Sequence, residues 1–505
     1  MVDHKKNTTF VQKIKQMKKF WMYRWLVFCW VVVMLLAMPG CRKDHSPDDP
    51  IEEDEYAVIN DWILENMKLY YFWNTQIPRN TDKTLYPKDY FESLLYKKED
   101  RFSWIQEDFL ELMKHLSGVT TEAGYEFDLF VVKNDNVNVY GYIAYIKPGT
   151  PAEKAGLQRG DIFSSINGIT MTRSNYQKLL GEMSKKHTIG KMIFSGGAFT
   201  GQTTSVSLDV VEYEENPILL DTIYYYPNHK IGYLVYNLFS RDSEPYGIAY
   251  EKELNDVFGK YKSEGVNELI IDLRYNSGGT VVTAEALASM ISNRGATDVF
   301  GYEIWNSIVH QYLEKEYGKD YNKTTFPDNI VRYNKNYQVV EKVNINKLNN
   351  LNRVHFIVTR YTASASELVI NCLKPYMEVV LIGSTTYGKN VGSITIWEDD
   401  EEKQKTNTWG IQPIVLKLEN SEHKSDYGNG FKPDIEAEEF DWEMRQLGDT
   451  EELMLSAALN NILGGKSPQK KNVSFTPRVV GSSLDRNTTR KNMYIDFHPK
   501  RVRSN

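Results

Sequence analysis

Three apolar, strand-like runs, each ending in a loop of small or polar residues, restrict the second half of this chain to an α/β arrangement with parallel pairing. Glu268 to Leu273 (ELIIDL) leads into Arg274-Tyr275-Asn276-Ser277-Gly278-Gly279, then a helix through Ala284, Leu287, Ala288 and Ile291. Val354 to Thr359 (VHFIVT) leads into Thr362-Ala363-Ser364-Ala365-Ser366-Glu367 and a helix through Leu368 and Leu373. Val379 to Gly383 (VVLIG) follows and leads into Thr385-Thr386-Tyr387-Gly388-Lys389. A right-handed strand, helix, strand unit brings the chain back to the same sheet edge in the same direction, so the C-terminal strand ends gather. With neighbouring strands about 4.8 Å apart, Ser364 and Lys389 are expected to meet above that edge, where α/β sheets place their ligands.

A serine hydroxyl becomes a good nucleophile only when a base takes its proton, and a lysine serves as that base only when neutral. Burial against apolar walls disfavours the ammonium form. Lys389 is therefore expected to be desolvated, with Tyr387 as a wall. Ser364 opens a helix whose first amides point toward it, and the Ala365 amide is a natural oxyanion donor. Gly278 and Gly279 offer the second donor, since glycine lets backbone approach a substrate closely. Taken alone, TASAS reads as a helix N-cap; the lysine at matching topology and the glycine loop reverse that reading. Other signatures do not compete. No GxSxG elbow occurs, and the SxxK matches at Ser421 to Lys424 and Ser467 to Lys470 fall in polar stretches. His355 sits in a strand and His423 in a charged loop, and Asp272 and Arg274 read as fixing the loop rather than performing chemistry.

The 505 residues carry a net charge of -7, with 41% hydrophobic and 25% charged residues, which suits several packed cores and excludes the basic stripe of a nucleic-acid binder. Three cysteines, Cys29, Cys41 and Cys372, define no disulfide framework. No CxxC or HExxH spacing points to a metal, and no cofactor is expected.

Lys13, Lys15, Lys18, Lys19 and Arg24 precede the uncharged run Trp25 to Met38, which meets Pro39-Gly40-Cys41. A basic region, an apolar run shorter than a membrane span of about 20 residues, and a small residue before a cleavage point read as an export leader over 1–40. Met38 to Cys41 resembles a bacterial lipobox, which implies Cys41 as a lipid anchor, a membrane-attached protein of a Gram-negative-type cell envelope, and residues 41–55 as a solvated tether. Translation from Met17 or Met22 stays open, as does exposure to the periplasm or the cell surface.

Residues 56–117 are expected to form a helical unit, with Val58, Ile59, Trp62, Ile63, Met67 and Tyr70 on one face and the Tyr70 to Trp73 cluster in the core. Residues 118–212 change to short strands and turns. Lys147 to Met171 (KPGTPAEKAGLQRGDIFSSINGITM) places a turn, a short helix, a second turn, strand Ile162 to Ile166 and an Asn167-Gly168 hairpin in order. This stretch resembles a PDZ domain, in which an extended peptide adds a strand to a sheet edge. The resemblance implies peptide contacts at Gly124, Tyr125, Phe127 and Leu129, in a loop carrying two acidic residues instead of further glycines. Residues 213–464 form the α/β core; within it, 295–350 is a long insert that either covers the site or recognises substrate, or else forms a surface excursion with local helices. Residues 465–505 are polar and basic and are expected to be a disordered tail.

With the PDZ stretch, DLRYNSGG, TASASE, TYGK and DYGNGFKPDIE in this order, the chain resembles the C-terminal processing peptidases, or tail-specific proteases. The resemblance spans roughly Tyr56 to Ile462. It implies a multidomain α/β protein whose core is of the crotonase/ClpP-like type, acting on protein or peptide substrates with Ser364 as nucleophile and Lys389 as base. Family members often carry a Gln four residues after the lysine; Ser393 stands there. Two further readings stay open: a catalytically weak homologue that binds peptides or a cell-surface polymer, and a crotonase-like enzyme acting on acyl groups. Oligomeric state is not written in the chain.

Overall fold

The computed structural model describes residues 55–133, 135–195, 198–244, 246–336, 338–398, 401–465, 478–485 and 493–495. The leader, Cys41 and the tether up to residue 54 lie outside the described residues.

The N-terminal unit begins with helix Glu55–Tyr70, which packs Ile59, Ile63, Leu64 and Met67 against Tyr90, Phe91 and Leu94 of helix Pro87–Leu94. It is less helical than its apolar periodicity implies. Pro78 and Pro87 break the pattern, residues 71–86 form turns with a single 3-10 turn at Asn74–Gln76, and Trp104–Gln106 is a strand paired with Gly410–Gln412 of the core. Tyr70 and Tyr71 are buried, as expected of core aromatics, while Phe72 and Trp73 are half-buried.

The second unit is an antiparallel sheet built on β1 (Tyr125–Val131), Tyr140–Ile146, Ile162–Ile166, His187–Ser195 and Ala198–Leu208. Asn167 and Gly168 both take positive φ, 51° and 74°, as a two-residue hairpin requires. Helices Pro151–Lys154 and α1 (Tyr176–Gly181) pack on the sheet through Ala152, Leu179 and Leu180.

The core region then supplies β2 (His229–Tyr236), β3 (Glu268–Asp272), the short β4 (Gly279–Thr280), helix α2 (Val281–Ser292), β5 (Arg353–Val358), helix α3 (Ala365–Leu373), β6 (Glu378–Gly383) and β7 (Val391–Ser393). β2, β3, β5 and β6 are consecutive parallel neighbours in a six-stranded sheet, with Val358 of β5 opposite Gly383 of β6. Residues alternate between its faces. Leu234, Leu269, Ile271, Phe356 and Leu381 join the core that includes α2 and α3, while Tyr233, Ile270, Ile357 and Ile382 meet helix Leu453–Leu463 on the other side. Burial on both faces explains why these strands read as continuous apolar runs.

A second sheet orders β4, a C-terminal strand, β7, Ile414–Asn420, Val299–Trp305 and Lys323–Thr325. The 295–350 stretch therefore contributes strands to the core, together with helix Ser307–Tyr317 and hairpin Asn329–Tyr333/Val339–Asn344. It is more than a surface excursion. The expectation of a disordered 465–505 tail is also corrected where the tail is described: β8 (Arg478–Ser482) pairs with β1, and β9 (Met493–Tyr494) lies between β4 and β7. Both segments fill an unpaired strand edge, which a polar composition does not announce.

Candidate active site

Ser364 immediately precedes α3 with φ 65° and ψ -116°, a conformation that non-glycine residues rarely hold and that persists only where surrounding contacts impose it. Those contacts are present. Its backbone N–H donates to Oε2 of Glu367 (2.9 Å), and the Ala363 N–H and Ser366 hydroxyl both donate to the Asn276 carbonyl (3.1 Å each). The Ser364 side chain is fully buried, and its hydroxyl finds no hydrogen-bond partner among the described residues. A buried polar atom without a partner is uncommon and marks a group held for another purpose.

Glu367 ties the serine loop to the lysine loop. Its Oε2 also accepts the Lys389 backbone N–H (2.8 Å), and its Oε1 accepts the Gly388 N–H (2.7 Å) and the Thr386 hydroxyl (2.6 Å). Because one oxygen takes the amides of both Ser364 and Lys389, their backbone nitrogens are separated by no more than those two bonds end to end. The Thr386 hydroxyl accepts from Phe431 N–H, so its proton is free to point at Glu367. All four groups on Glu367 are donors, which is the environment of an ionised carboxylate. Burial dominates and raises its pKa above the ordinary carboxylate value, with the four donated bonds pulling the other way.

Lys389 is fully buried, and burial pulls its amine down to about 7, against the opposing fields of Asp100 and Glu367. Its Nζ lies 5.0 Å from the ring centre of Phe102. The wall is thus Phe102, from the N-terminal unit, with the expected Tyr387 ring packed edge-on behind it at 6.1 Å. Asp100 organises this turn by accepting the Phe102 and Ser103 amides (2.9 Å each) and the Tyr71 hydroxyl (2.8 Å). Arg101 reaches across to the carbonyls of Gly388 (3.1 Å) and Gly428 (3.2 Å), locking the turn onto the lysine loop. Gly388 is required there. At φ +88°, a Cβ would lie 2.5 Å from the Gly428 carbonyl oxygen.

The glycine loop closes the third side. Gly279 has φ +140°, and a Cβ there would meet the Phe239 carbonyl oxygen at 2.1 Å, so only glycine fits. Gly278 stands beside it, but its N–H donates to Asn276 Oδ1 (2.9 Å) and is not aimed into the site. Ala365 supplies the first amide of α3, next to Ser364. Ser393, at the end of β7, accepts from Gln412 Nε2 (3.0 Å) and donates to the Met493 carbonyl (3.0 Å). Gln412 is buried, and its Oε1 has no partner among the described residues. Beneath the loop, Arg274 is fully buried between Asp272 (2.7 Å) and Glu452 (2.8 Å), which agrees with Asp272 and Arg274 fixing the loop. Among the described residues no group of three or more His, Cys, Asp or Glu side chains is placed to hold a metal ion.

Three family profiles match in the order that this geometry requires. The N-terminal domain of peptidase family S41 matches residues 58–104, a PDZ domain 142–188, and the family S41 peptidase domain itself 230–437, which contains the glycine loop, Ser364 and Lys389. The chain belongs to peptidase family S41. A solved structure described as "Putative S41 protease from Bacteroides fragilis NCTC 9343" superposes with a TM-score of 0.63 at 25% identity, covering 85% of this chain and 99% of that one. A "Probable CtpA-like serine protease" of Staphylococcus aureus is 23% identical over 375 residues, 74% of this chain and 64% of the relative. This chain thus spans less than two thirds of the length of that curated relative. The photosystem II D1 C-terminal processing protease structure is 18% identical with a TM-score of 0.44, over 81% of this chain and 99% of that one.

Within the S41 core, the motif order seen in the sequence acquires physical roles. The DYGNGFKPDIE stretch buttresses the lysine loop. Tyr427 stacks on Phe431 (4.8 Å), the Phe431 amide and carbonyl bond Thr386, and Ile435–Glu436 extends the sheet beside β6. The PDZ unit touches the Ser364 loop directly. Phe130, Tyr142 and Tyr145 pack with Tyr275 and Tyr361, and Tyr361 donates its hydroxyl to Asp128 of β1. Gly124 has φ +90° at the start of β1, with Tyr125, Phe127 and Leu129 buried along it. The outer edge of β1 is paired with β8. Sequence reasoning missed Phe102, Asp100, Asn276 and the bridging role of Glu367. Only Glu367 and Asn276 carried a signal, as polar residues inside otherwise small-residue loops.

Proposed function

We propose that this S41 protein is a serine-type endopeptidase of the cell envelope, with Ser364 as nucleophile and Lys389 as general base. The observation that carries the reading is the Glu367 carboxylate, which holds the backbones of Ser364 and Lys389 on one oxygen while burial brings the Lys389 amine down to about 7. In this reading Ser364 Oγ attacks the scissile carbonyl carbon and its proton passes to Lys389 Nζ. The oxyanion is held by the Ala365 N–H at the start of α3 and by backbone of the Gly279 turn. The C–N bond then breaks as Lys389 returns the proton to the leaving amine. Water attacks the acyl ester as Lys389 takes its proton, and the ester C–O bond then opens as Lys389 passes that proton to Ser364 Oγ, which regenerates both groups. Ser393, with Gln412 behind it, stands as the candidate third member that orients the lysine.

The test uses the purified mature chain and an unfolded protein substrate, comparing wild type with Ser364→Ala. Loss of the nucleophile is expected to lower cleavage by about 10³-fold or more. Cleavage unchanged in Ser364→Ala would remove this serine from the chemistry. No cleavage by the wild type would favour a peptide-binding homologue.

The envelope location rests on the basic and apolar leader and Cys41. In a Gram-negative host, Cys41→Ala should abolish incorporation of labelled fatty acid and shift the protein out of the membrane fraction. Fatty-acid labelling that persisted in that variant would place the anchor elsewhere.

A further inference from the structure

The outer edge of a PDZ sheet is where an extended peptide is taken up, and here that edge carries the chain's own C-terminal segment. β8 runs antiparallel to β1, with Arg478 opposite Val131, Val479 opposite Phe130, Gly481 opposite Leu129 and Ser482 opposite Asp128. Val480 packs on the PDZ core, as does Tyr176 of α1. A Cβ at Gly481 would sit 3.6 Å from Leu129 and 3.9 Å from Tyr176, so the segment lies in the slot between β1 and α1.

Its direction takes it toward the Gly124 end of β1, where a bound peptide would present its terminus. There the Ser483 hydroxyl accepts the Phe127 N–H (2.8 Å) and donates to the Glu126 carboxylate. The chain then turns at Ser483–Asp485 and buries Leu484 among Phe130, Tyr142, Tyr275 and Tyr361. The charge at this end opposes a free carboxylate. Lys147 is shared by Glu122 (2.6 Å), Glu126 (3.0 Å) and Glu215 (2.9 Å), three carboxylates to one ammonium. A like charge placed there would be repelled, whereas a hydroxyl is a donor that Glu126 accepts.

The same segment continues to the candidate active site. Met493 of β9 is fully buried opposite Gly279, Tyr494 stands opposite Ser393, and the Ile495 N–H donates to the Ser393 carbonyl (3.1 Å). The strand thus pairs with both the glycine loop and β7, and Ser364 and Lys389 are fully buried.

We propose that this PDZ groove takes an internal, hydroxyl-bearing extended segment instead of a free carboxyl terminus, and that its resident ligand is the chain's own 478–485 segment, which keeps groove and cleft closed to other peptides. The closing role rests on the peptidase reading; the ligand assignment does not.

Ser483→Asp sets a carboxylate against Glu126 and should release the segment. Binding is measured in full-length protein carrying Ser364→Ala, so that no catalysis intervenes, with a synthetic peptide of residues 478–485 ending in an amide or a free acid. The amide should bind the Ser483→Asp form about tenfold more tightly than the form that keeps Ser483, and the free acid about tenfold more weakly than the amide. Equal binding to both proteins, or tighter binding of the free acid, overturns the assignment. With Ser364 present, Ser483→Asp should accelerate cleavage of an unfolded protein about tenfold, and unchanged cleavage overturns the closing role. Expected binding with no cleavage in any form counts against the peptidase reading and leaves the groove assignment standing. If Ser483→Asp does not fold, hydrogen exchange on the Ser364→Ala chain decides: excess amide peptide must speed exchange at residues 479–482, and unchanged exchange overturns the proposal.

Discussion

Cleavage by this protein should climb with pH through a single step near 7, and Lys389→Met should lower it by about 10³-fold or more while making the fold more stable. Both follow from the buried amine. Desolvation holds Lys389 down to about 7 in the folded chain, whereas a lysine in the unfolded chain titrates near 10.4. Between these values the unfolded state binds the extra proton, so this group makes stability rise with pH across that window. Below about 7 the folded state carries a buried ammonium and the destabilisation is fully present. Methionine has nearly the same length and no charge to desolvate. At neutral pH it should therefore stabilise on the order of a few kcal/mol, read as a higher urea midpoint with an unchanged slope. An activity profile flat between pH 6 and 8, or a Lys389→Met protein that still cleaves, would sink the assignment of this lysine as base.

Glu367→Gln is expected to be nearly as damaging, although the side chain makes no covalent contact with substrate in the proposed reaction. The carboxylate accepts four donors, two on each oxygen. A glutamine amide accepts on one oxygen only, and its NH₂ would face two N–H groups or an N–H and a hydroxyl. Leaving two buried donors unpaired costs about 2–4 kcal/mol, and a shift of either loop by about 1 Å costs on the order of 10² in rate. A third readout separates positioning from simple loss of stability. The Glu367 field raises the Lys389 pKa against desolvation, so its removal should move the activity step to lower pH. Residual activity with an unmoved step would make Glu367 a structural brace alone.

The parts of this protein that follow from local sequence are those with a local physical cause. The runs ELIIDL, VHFIVT and VVLIG are apolar throughout because their strands are buried on both faces. The small-residue loops after them mark the strand ends that carry Ser364 and Lys389, and Asn167-Gly168 marks its hairpin because both residues must take positive φ. Expectations failed where a residue's role is set by a partner far along the chain. Nothing around Phe102 announces that it walls Lys389. Nothing in NSGG shows that the Gly278 amide is taken by Asn276. The C-terminal segment is the clearest case. Its composition is that of a disordered tail, yet the open edge of β1 and the gap between β4 and β7 turn two short stretches of it into strands. Hydrophobic periodicity and turn chemistry act between residues a few positions apart, so the chain by itself determined the apolar parallel strands, the turns and the strand ends on which Ser364 and Lys389 sit. The burial of the lysine, the carboxylate between the loops and the occupant of the groove depend on backbone donors and edges that exist only once distant elements have packed, and the tertiary structure alone decided them.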